Sequence, residues 1–309
     1  MPTPVTPLDV SEQVTAVLVT FRSRHIIEES LKSLIQDHGL KHLIVVDNAS
    51  FDGTCEAIRQ RFPGVKTQAS TKNLGFGGGN NLGLHAVTTP FALVLNPDVR
   101  LPAGGIQQLL ELAMVRPEVA ITGPWPARDT GIASAVKTSG FGSKILAPYL
   151  PDTDYQTQFL VGAAMLMRME AMRTIGFFDP EIFLYYEDDD ISERAVQAGY
   201  KLLLTSRVLM HHNFGSSSSD APGLLEMKER HFSWSRLYLD QKIHGTAHAH
   251  QTARELKQKY RRRLLQQRLT FSREVAKTHA RLVGVSDFLS GQRPPIDPAA
   301  CTRTARRAA

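Results

Sequence analysis

The chain has 309 residues, 42% hydrophobic and 21% charged, enough apolar material for a sizeable core and unlike a disordered or fibrous composition. Two cysteines, Cys55 and Cys301, exclude a disulfide framework and favour a reducing, cytoplasmic setting; no signal-peptide pattern opens the chain and no apolar run approaches a membrane span. The net charge of +6 is uneven, with the Lys and Arg excess falling after residue 225, so an acidic surface, anionic lipid or nucleic acid, is the expected partner of that region.

Residues 1–12 read as a flexible, proline-punctuated lead-in. Val14–Thr20 is β-branched and apolar, the pattern of a buried strand, and residues 26–35 place Ile27, Leu31, Leu34 and Ile35 at helical spacing. Leu43–Asp47 predicts a second buried strand, 53–61 a helix, and 65–68 a third, short strand. The glycine-rich Asn73–Gly83 and a short helix follow, then a fourth strand at Phe91–Leu95 and a helix from Pro102 to about Val115. Residues 123–158 are rich in Gly, Ser and Thr and read as a variable surface segment. The apolar run Phe159–Met167 predicts a buried strand, residues 170–175 a short helix, 189–198 another, and 201–210 a last strand. From Gly223 the pattern is helical, and after Gly291 a Pro, Ala and Arg tail reads as disordered. The expectation is an α/β domain over 13–220 with parallel strands, a helical region over 221–290 and a tail over 291–309.

Several stretches carry chemistry. Asp47, Asn48 and Asp98 fall at strand ends, where open α/β sheets bind ligands. Asp47-Asn48-Ala49-Ser50 offers acceptors for a base imide or a ribose, or makes a turn that caps the next helix. The run Asn73–Gly83 lets backbone approach a phosphate or sugar closely, yet it is neither a dinucleotide fingerprint nor a P-loop. Asn96-Pro97-Asp98 is a type I turn or a carboxylate placed for a metal-bound diphosphate.

Phe183–Arg194 holds four consecutive carboxylates, Glu187 to Asp190, after an aromatic run. Adjacent acids repel, so the cluster is either a solvated helix cap or an acid–base site. It fails as a calcium loop, since Glu193 and Gly199 stand where glycine and glutamate are needed. His211 and His212 follow the next strand and offer a metal ligand. His244, His248 and His250 lack the Cys or carboxylate pattern of a zinc site and read as a solvated helix face.

In order, Val17–Phe21, Val45–Ser50 with Asp52 and Gly53, Asn73–Gly83, Leu95–Asp98, Gly162–Ala164, Gly176–Asp179, Glu187–Asp190 and His211/His212 resemble the family 2 glycosyltransferases, over about two thirds of the chain. These are inverting enzymes with the nucleotide-sugar-binding α/β fold called GT-A, and the likeness is strongest to bacterial rhamnosyltransferases of cell-surface polysaccharide assembly. The resemblance implies that Thr20, Arg22, Asp47, Asn48 and Asn73 hold the nucleotide. It puts Gly75, Phe76, Gly77 and Asn80, as a loop, and Asn96 against diphosphate and sugar. Asp98 ends the family's Asp-x-Asp metal motif, whose first aspartate is here Asn96, and His211 or His212 completes a Mg²⁺ or Mn²⁺ site. Asp188 corresponds to the catalytic base, with Glu187 next to it on the acceptor side and Asp190 placed to orient the acceptor or cap the helix.

The implied donor is dTDP-L-rhamnose, with UDP- or GDP-sugars as the alternative. The implied acceptor is a saccharide or lipid-linked saccharide, with determinants in 123–158 and the helical C-terminal region. For 254–269, where Leu256, Tyr260 and Leu264 recur among Arg and Lys, one reading is a basic amphipathic helix on the inner leaflet of the membrane. The other is a helix packing on the catalytic domain or pairing in a homodimer, with its charges solvated. A nucleotidyltransferase would show more basic residues near the first strand than Arg22 and Arg24. A nucleic-acid-binding module is disfavoured because the strand-end aspartates would repel a phosphate backbone.

Overall fold

The structure is a computed structural model that describes residues 9–128, 131–132, 135–137, 144–146, 154–212 and 222–301. Residues 1–8 of the expected lead-in, about half of the expected variable segment, 213–221 and 302–309 lie outside the described residues. The chain begins with α1 (Val10–Gln13), β1 (Val14–Thr20), α2 (Arg24–Gln36), β2 (His42–Asp47), α3 (Thr54–Arg61), β3 (Lys66–Ala69), α4 (Gly75–His85), β4 (Phe91–Leu95), β5 (Val99–Arg100) and α5 (Gly105–Met114). There follow β6 (Val119–Arg128), β7 (Gly131–Ile132), β8 (Ala135–Lys137), β9 (Lys144–Leu146), β10 (Tyr155–Thr157), β11 (Ala164–Arg168), α6 (Met169–Ile175), α7 (Glu187–Gln197) and β12 (Lys201–His212). Three long helices come last: α8 (Leu224–His244), α9 (Thr246–Leu269) and α10 (Val275–Leu289).

The main sheet has the order β10-β12-β6-β11-β4-β1-β2-β3, with β5 paired to β12 and β7 to β6. Strands β1 to β4 are parallel to their neighbours in that group, as their alternation with helices predicts. Beyond β4 the expectation of parallel strands is corrected. Strand β11 runs antiparallel to both β4 and β6, so the sheet is mixed. The expected strand over Phe159–Met167 is shortened to Ala164–Arg168, because the chain turns at Gly162 and Ala163 before entering the sheet. The lead-in is also corrected from residue 9 on, where Asp9 accepts from Ser11 N–H at 2.9 Å and caps α1.

Asn73–Gly83, read from the sequence as a loop, is helix α4 from Gly75 onward. Glycine is a poor helix former, so the reason lies in packing. A Cβ on Gly79 would stand 2.8 Å from Val19 Cγ1, and one on Gly83 2.4 Å from Val17 Cγ1. These two glycines, one helical turn apart, let α4 lie directly on β1. Asn81 bonds the backbone of Phe178 twice, donating to its carbonyl at 2.7 Å and accepting from its N–H at 3.0 Å.

The chain divides into two compact units. One holds the main sheet; the other combines Gly75–Gly77 and Pro180–Glu187 with the C-terminal helices. In the second unit Trp234, Leu237, Ala253, Leu256, Tyr260, Val285 and Phe288 form the core between α8, α9 and α10. The Leu256–Tyr260–Leu264 stripe is therefore interior, and the reading that lays this stripe on a membrane is corrected. Arg230 and Asp287 pair with two hydrogen bonds across α8 and α10. The disordered tail expected after Gly291 is corrected for 291–301. Gln292 O accepts from Trp234 Nε1 at 2.8 Å, and Cys301 packs with Phe183, Leu224 and Met227.

Two outcomes follow for stability. On an open helix Gly→Ala gains about 1 kcal/mol, but Gly83→Ala should cost roughly 1–3 kcal/mol in urea unfolding, because a buried valine cannot move aside. His231 is buried, with Nε2 3.2 Å from Pro295 O, and burial pushes its pKa from 6.5 down to about 4. The unfolded chain then binds a proton that the folded chain refuses. Stability is full above about pH 6.5 and falls by roughly 3 kcal/mol as pH drops to about 4. His231→Gln should remove that part of the slope when unfolding free energies are compared between about pH 7 and pH 5.

Candidate active site

The parallel strands β4, β1 and β2 are neighbours, and their carboxyl ends deliver Asn96–Asp98, Thr20 and Asp47–Asn48 to one edge of the sheet. Asn48 ties this edge together. Its N–H donates to Thr20 O at 2.9 Å, its Nδ2 to Asn73 Oδ1 at 3.0 Å, and its Oδ1 accepts from Leu74 N–H at 2.8 Å. Asp47 Oδ1 accepts from Ser50 N–H at 3.0 Å, and Ser50 Oγ accepts from the N–H of Arg22 at 2.9 Å. Thr20 is buried, and its hydroxyl has no hydrogen-bond partner among the described residues. Arg22, Ala49 and Phe51 have φ of 54°, 65° and 54°, a left-handed backbone that costs side-chain-bearing residues about 1 kcal/mol or more each. Strain of this kind gathers where a surface is shaped for a ligand.

Asn96, Pro97, Asp98 and Val99 make a turn, with Val99 N–H donating to Asn96 O at 3.1 Å. Strand β5 then pairs with β12 in the register His211↔Arg100 and His212↔Val99. That register sets one of the two histidines beside Asp98. His212 Nε2 lies 3.3 Å from Asp98 Oδ1, with Asp98 buried and the His212 side chain 10% exposed, whereas His211, one residue earlier, is exposed. A carboxylate and an imidazole side by side are suitable ligands for a divalent ion. Among the described residues no group of three or more such side chains gathers.

The acidic stretch is the first turn of α7. Glu187, Asp189 and Asp190 are 7%, 4% and 1% exposed, which rules out a solvated cap. Asp188 is half-buried, its Oδ2 accepting from Gly162 N–H and its Oδ1 from Asp189 N–H, both at 3.0 Å. These two donors fix the plane of the carboxylate. Asp190 is engaged by Arg194 at 2.8 Å, and the same guanidinium donates to the carbonyls of Ile175, Gly176 and Phe177. Asp190 thus anchors α7, through Arg194, to the turn after α6.

In the second unit, Phe76 N–H donates to Phe183 O at 3.0 Å, and a Cβ on Gly75 would lie 1.8 Å from that oxygen. Gly75, Phe76 and Gly77 form the start of α4 packed on residue 183, so their expected loop is corrected to a helix start. Tyr185 and Tyr186, at φ of 65° and 69°, both pack on Phe232, and Leu184 O accepts from Ser235 Oγ at 2.9 Å. Burial, aided by Glu229 and Glu187, pushes the Tyr185 phenol up to about 12. The aromatic run before Glu187 is thereby held by α8.

Sequence reasoning passed over the parts played by Gly162 and Arg194. The Asp190–Arg194 spacing of four on a helix was the available signal for the arginine. Nothing local points to Gly162, because its partner is 26 residues away.

The mixed sheet, parallel over β4, β1, β2 and β3, is that of the GT-A fold. Residues 15–176 match the profile of Glycosyl transferase family 2. The chain belongs to this family and is a glycosyltransferase. It is similar to the N-acetylglucosaminyl-diphospho-decaprenol L-rhamnosyltransferase of Mycobacterium tuberculosis, 26% identical over a 302-residue alignment covering 83% of this chain and 98% of that one. Among solved structures it is similar to the mannosyltransferase PcManGT of Pyrobaculum calidifontis in complex with GDP-Man and Mn²⁺ (TM-score 0.56, 15% identity, 95% of this chain and 92% of that chain). A second is GalNAc-T7 with UDP, GalNAc and Mn²⁺ (TM-score 0.56, 15% identity, 76% of this chain and 51% of that chain).

If Asn48 organises the edge, Asn48→Ala should leave the Leu74 N–H unsatisfied and cost about 1–3 kcal/mol of stability. Nucleotide-sugar affinity, measured by calorimetry, should fall more steeply than after Asn81→Ala, which loosens the same helix away from that edge.

Proposed function

We propose that the chain is an inverting transferase that moves L-rhamnose from dTDP-rhamnose onto a hydroxyl of a lipid-linked saccharide, working in the cytoplasm at the inner face of the membrane. The observation that carries the reading is the close Asp98–His212 pair at the edge where β1, β2 and β4 end. The sugar and the lipid-linked acceptor are supported by similarity to the mycobacterial rhamnosyltransferase along nearly its whole length. In this reading Thr20, Asp47, Asn48 and Asn73 hold the nucleoside.

Asp98 and His212 would hold Mg²⁺ or Mn²⁺, which when bound neutralises charge on the departing diphosphate. Mn²⁺ in the two similar structures supports a divalent ion here. Asp188 is the general base: its carboxylate takes the proton of the acceptor hydroxyl as that oxygen forms a bond to the anomeric carbon. The bond from that carbon to the β-phosphate oxygen breaks in the same displacement, and the nucleoside diphosphate leaves. One displacement inverts the anomeric centre without a covalent enzyme intermediate. Gly162 N–H and the Asp189 N–H keep the carboxylate aimed through the cycle.

The test is a calorimetric titration with dTDP-rhamnose, UDP-sugars and GDP-sugars, with Mg²⁺ or Mn²⁺ and then with chelator. Metal-dependent binding of dTDP-rhamnose above the others is expected, and preference for a UDP- or GDP-sugar would reassign the donor. Asp188→Asn should keep donor binding and lose about 10²–10⁴ in turnover. Loss of donor binding in that variant would remove Asp188 from the role of base.

A further inference from the structure

Helix α9 has a second face that the core does not use. Its interior side carries Ala253, Leu256, Tyr260 and Leu264. On the opposite side Leu265 and Leu269, spaced i and i+4, are 66% and 81% exposed, and Phe271 in the turn just beyond is 94% exposed. Arg261 and Arg262 lie one turn before Leu265, Arg268 beside Leu269, and Arg273 two residues after Phe271; all four are exposed. Over residues 256–286 nine Lys and Arg accompany a single carboxylate, Glu274.

The end of the helix adds a second observation. Ser272 N–H donates to Gln267 O at 2.9 Å and Phe271 N–H to Arg268 O at 3.4 Å, the pattern of a Schellman cap. Its left-handed position normally belongs to glycine, yet Phe271 occupies it at a φ of 50°. A phenylalanine here strains the backbone and, projecting into solvent, recovers no burial within the chain. Fold stability alone would favour glycine.

We propose that this arginine-ringed apolar tip at the α9–α10 turn docks on an anionic lipid bilayer. Leu265, Leu269 and Phe271 enter the boundary between headgroups and acyl chains, and Arg261, Arg262, Arg268 and Arg273 meet lipid phosphates. Charge selects this occupant. A second copy of the chain would set arginine against arginine, and a nucleic acid offers phosphate but no apolar layer for two leucines. Among the described residues no helix is long and apolar enough to cross a membrane, so the contact is interfacial. The proposal specifies how the enzyme proposed above reaches a lipid-linked acceptor, but it stands on its own surface.

The experiment is cosedimentation of the full chain with vesicles of equal parts phosphatidylglycerol and phosphatidylcholine, against pure phosphatidylcholine. Binding to the anionic vesicles well above the neutral ones is expected. Leu269→Glu with Phe271→Glu should lower the partition coefficient about tenfold or more. Phe271→Gly should lower it less while holding or raising the melting temperature, which separates docking from folding. Donor titration should be unchanged in every variant, so failure of the donor reading and failure of this one are read separately. Equal partitioning of wild type and the double variant overturns the proposal, even where Arg261→Gln with Arg262→Gln lowers binding. A wild-type dimer that the double variant breaks, with no vesicle binding, overturns it in favour of self-association.

Discussion

Four consecutive carboxylates, three of them buried, must be accommodated within one turn of α7, and the candidate site depends on how this is done. Like charges so close are tolerated only where donors or counter-charges answer them individually. Arg194 answers Asp190 and, through three backbone carbonyls, fixes the turn behind it. The helix N-terminus is itself favourable for acids. With Asp190 engaged in this way, Asp188 is the carboxylate that remains half-buried, held by two backbone N–H groups. The cluster is one acid presented by neighbours that keep the helix in place.

A second constraint is the meeting of segments far apart in the chain at the edge of the parallel strands. Asn48 joins the ends of β1 and β2 to the start of the glycine-rich stretch, and the β5–β12 pairing carries His212 to Asp98 across 114 residues. Left-handed backbone at Arg22, Ala49 and Phe51 is concentrated on the same edge. Regular structure would have cost less there; the strain shapes the turns after β1 and β2.

The C-terminal helices show how one sequence pattern can hide two surfaces. Basic residues surround α9 almost evenly, and Leu256, Tyr260 and Leu264 stand out as its apolar stripe. Packing against α8 and α10 consumes that stripe, and the remaining Leu265, Leu269 and Phe271 form the exposed apolar tip.

The sequence by itself determined the strand–helix alternation from β1 to β4, the strand-end positions of Thr20, Asp47, Asn48 and Asp98, and the family to which the chain belongs. Those features are local: apolar runs of strand length, polar residues where each run stops, and motifs in a fixed order. Only the tertiary structure turned the glycine-rich stretch into a helix, since Gly79 and Gly83 answer to Val19 and Val17 on another element. The tertiary structure likewise set His212, and not His211, beside Asp98, because strand register sends neighbouring side chains to opposite faces, and no local pattern states the register. It also packed residues 291–301, whose composition reads as disorder, through Trp234 and a buried Cys301. Pairings between distant segments depend on which surfaces are left after the strands and helices assemble, and composition along the chain does not carry that information.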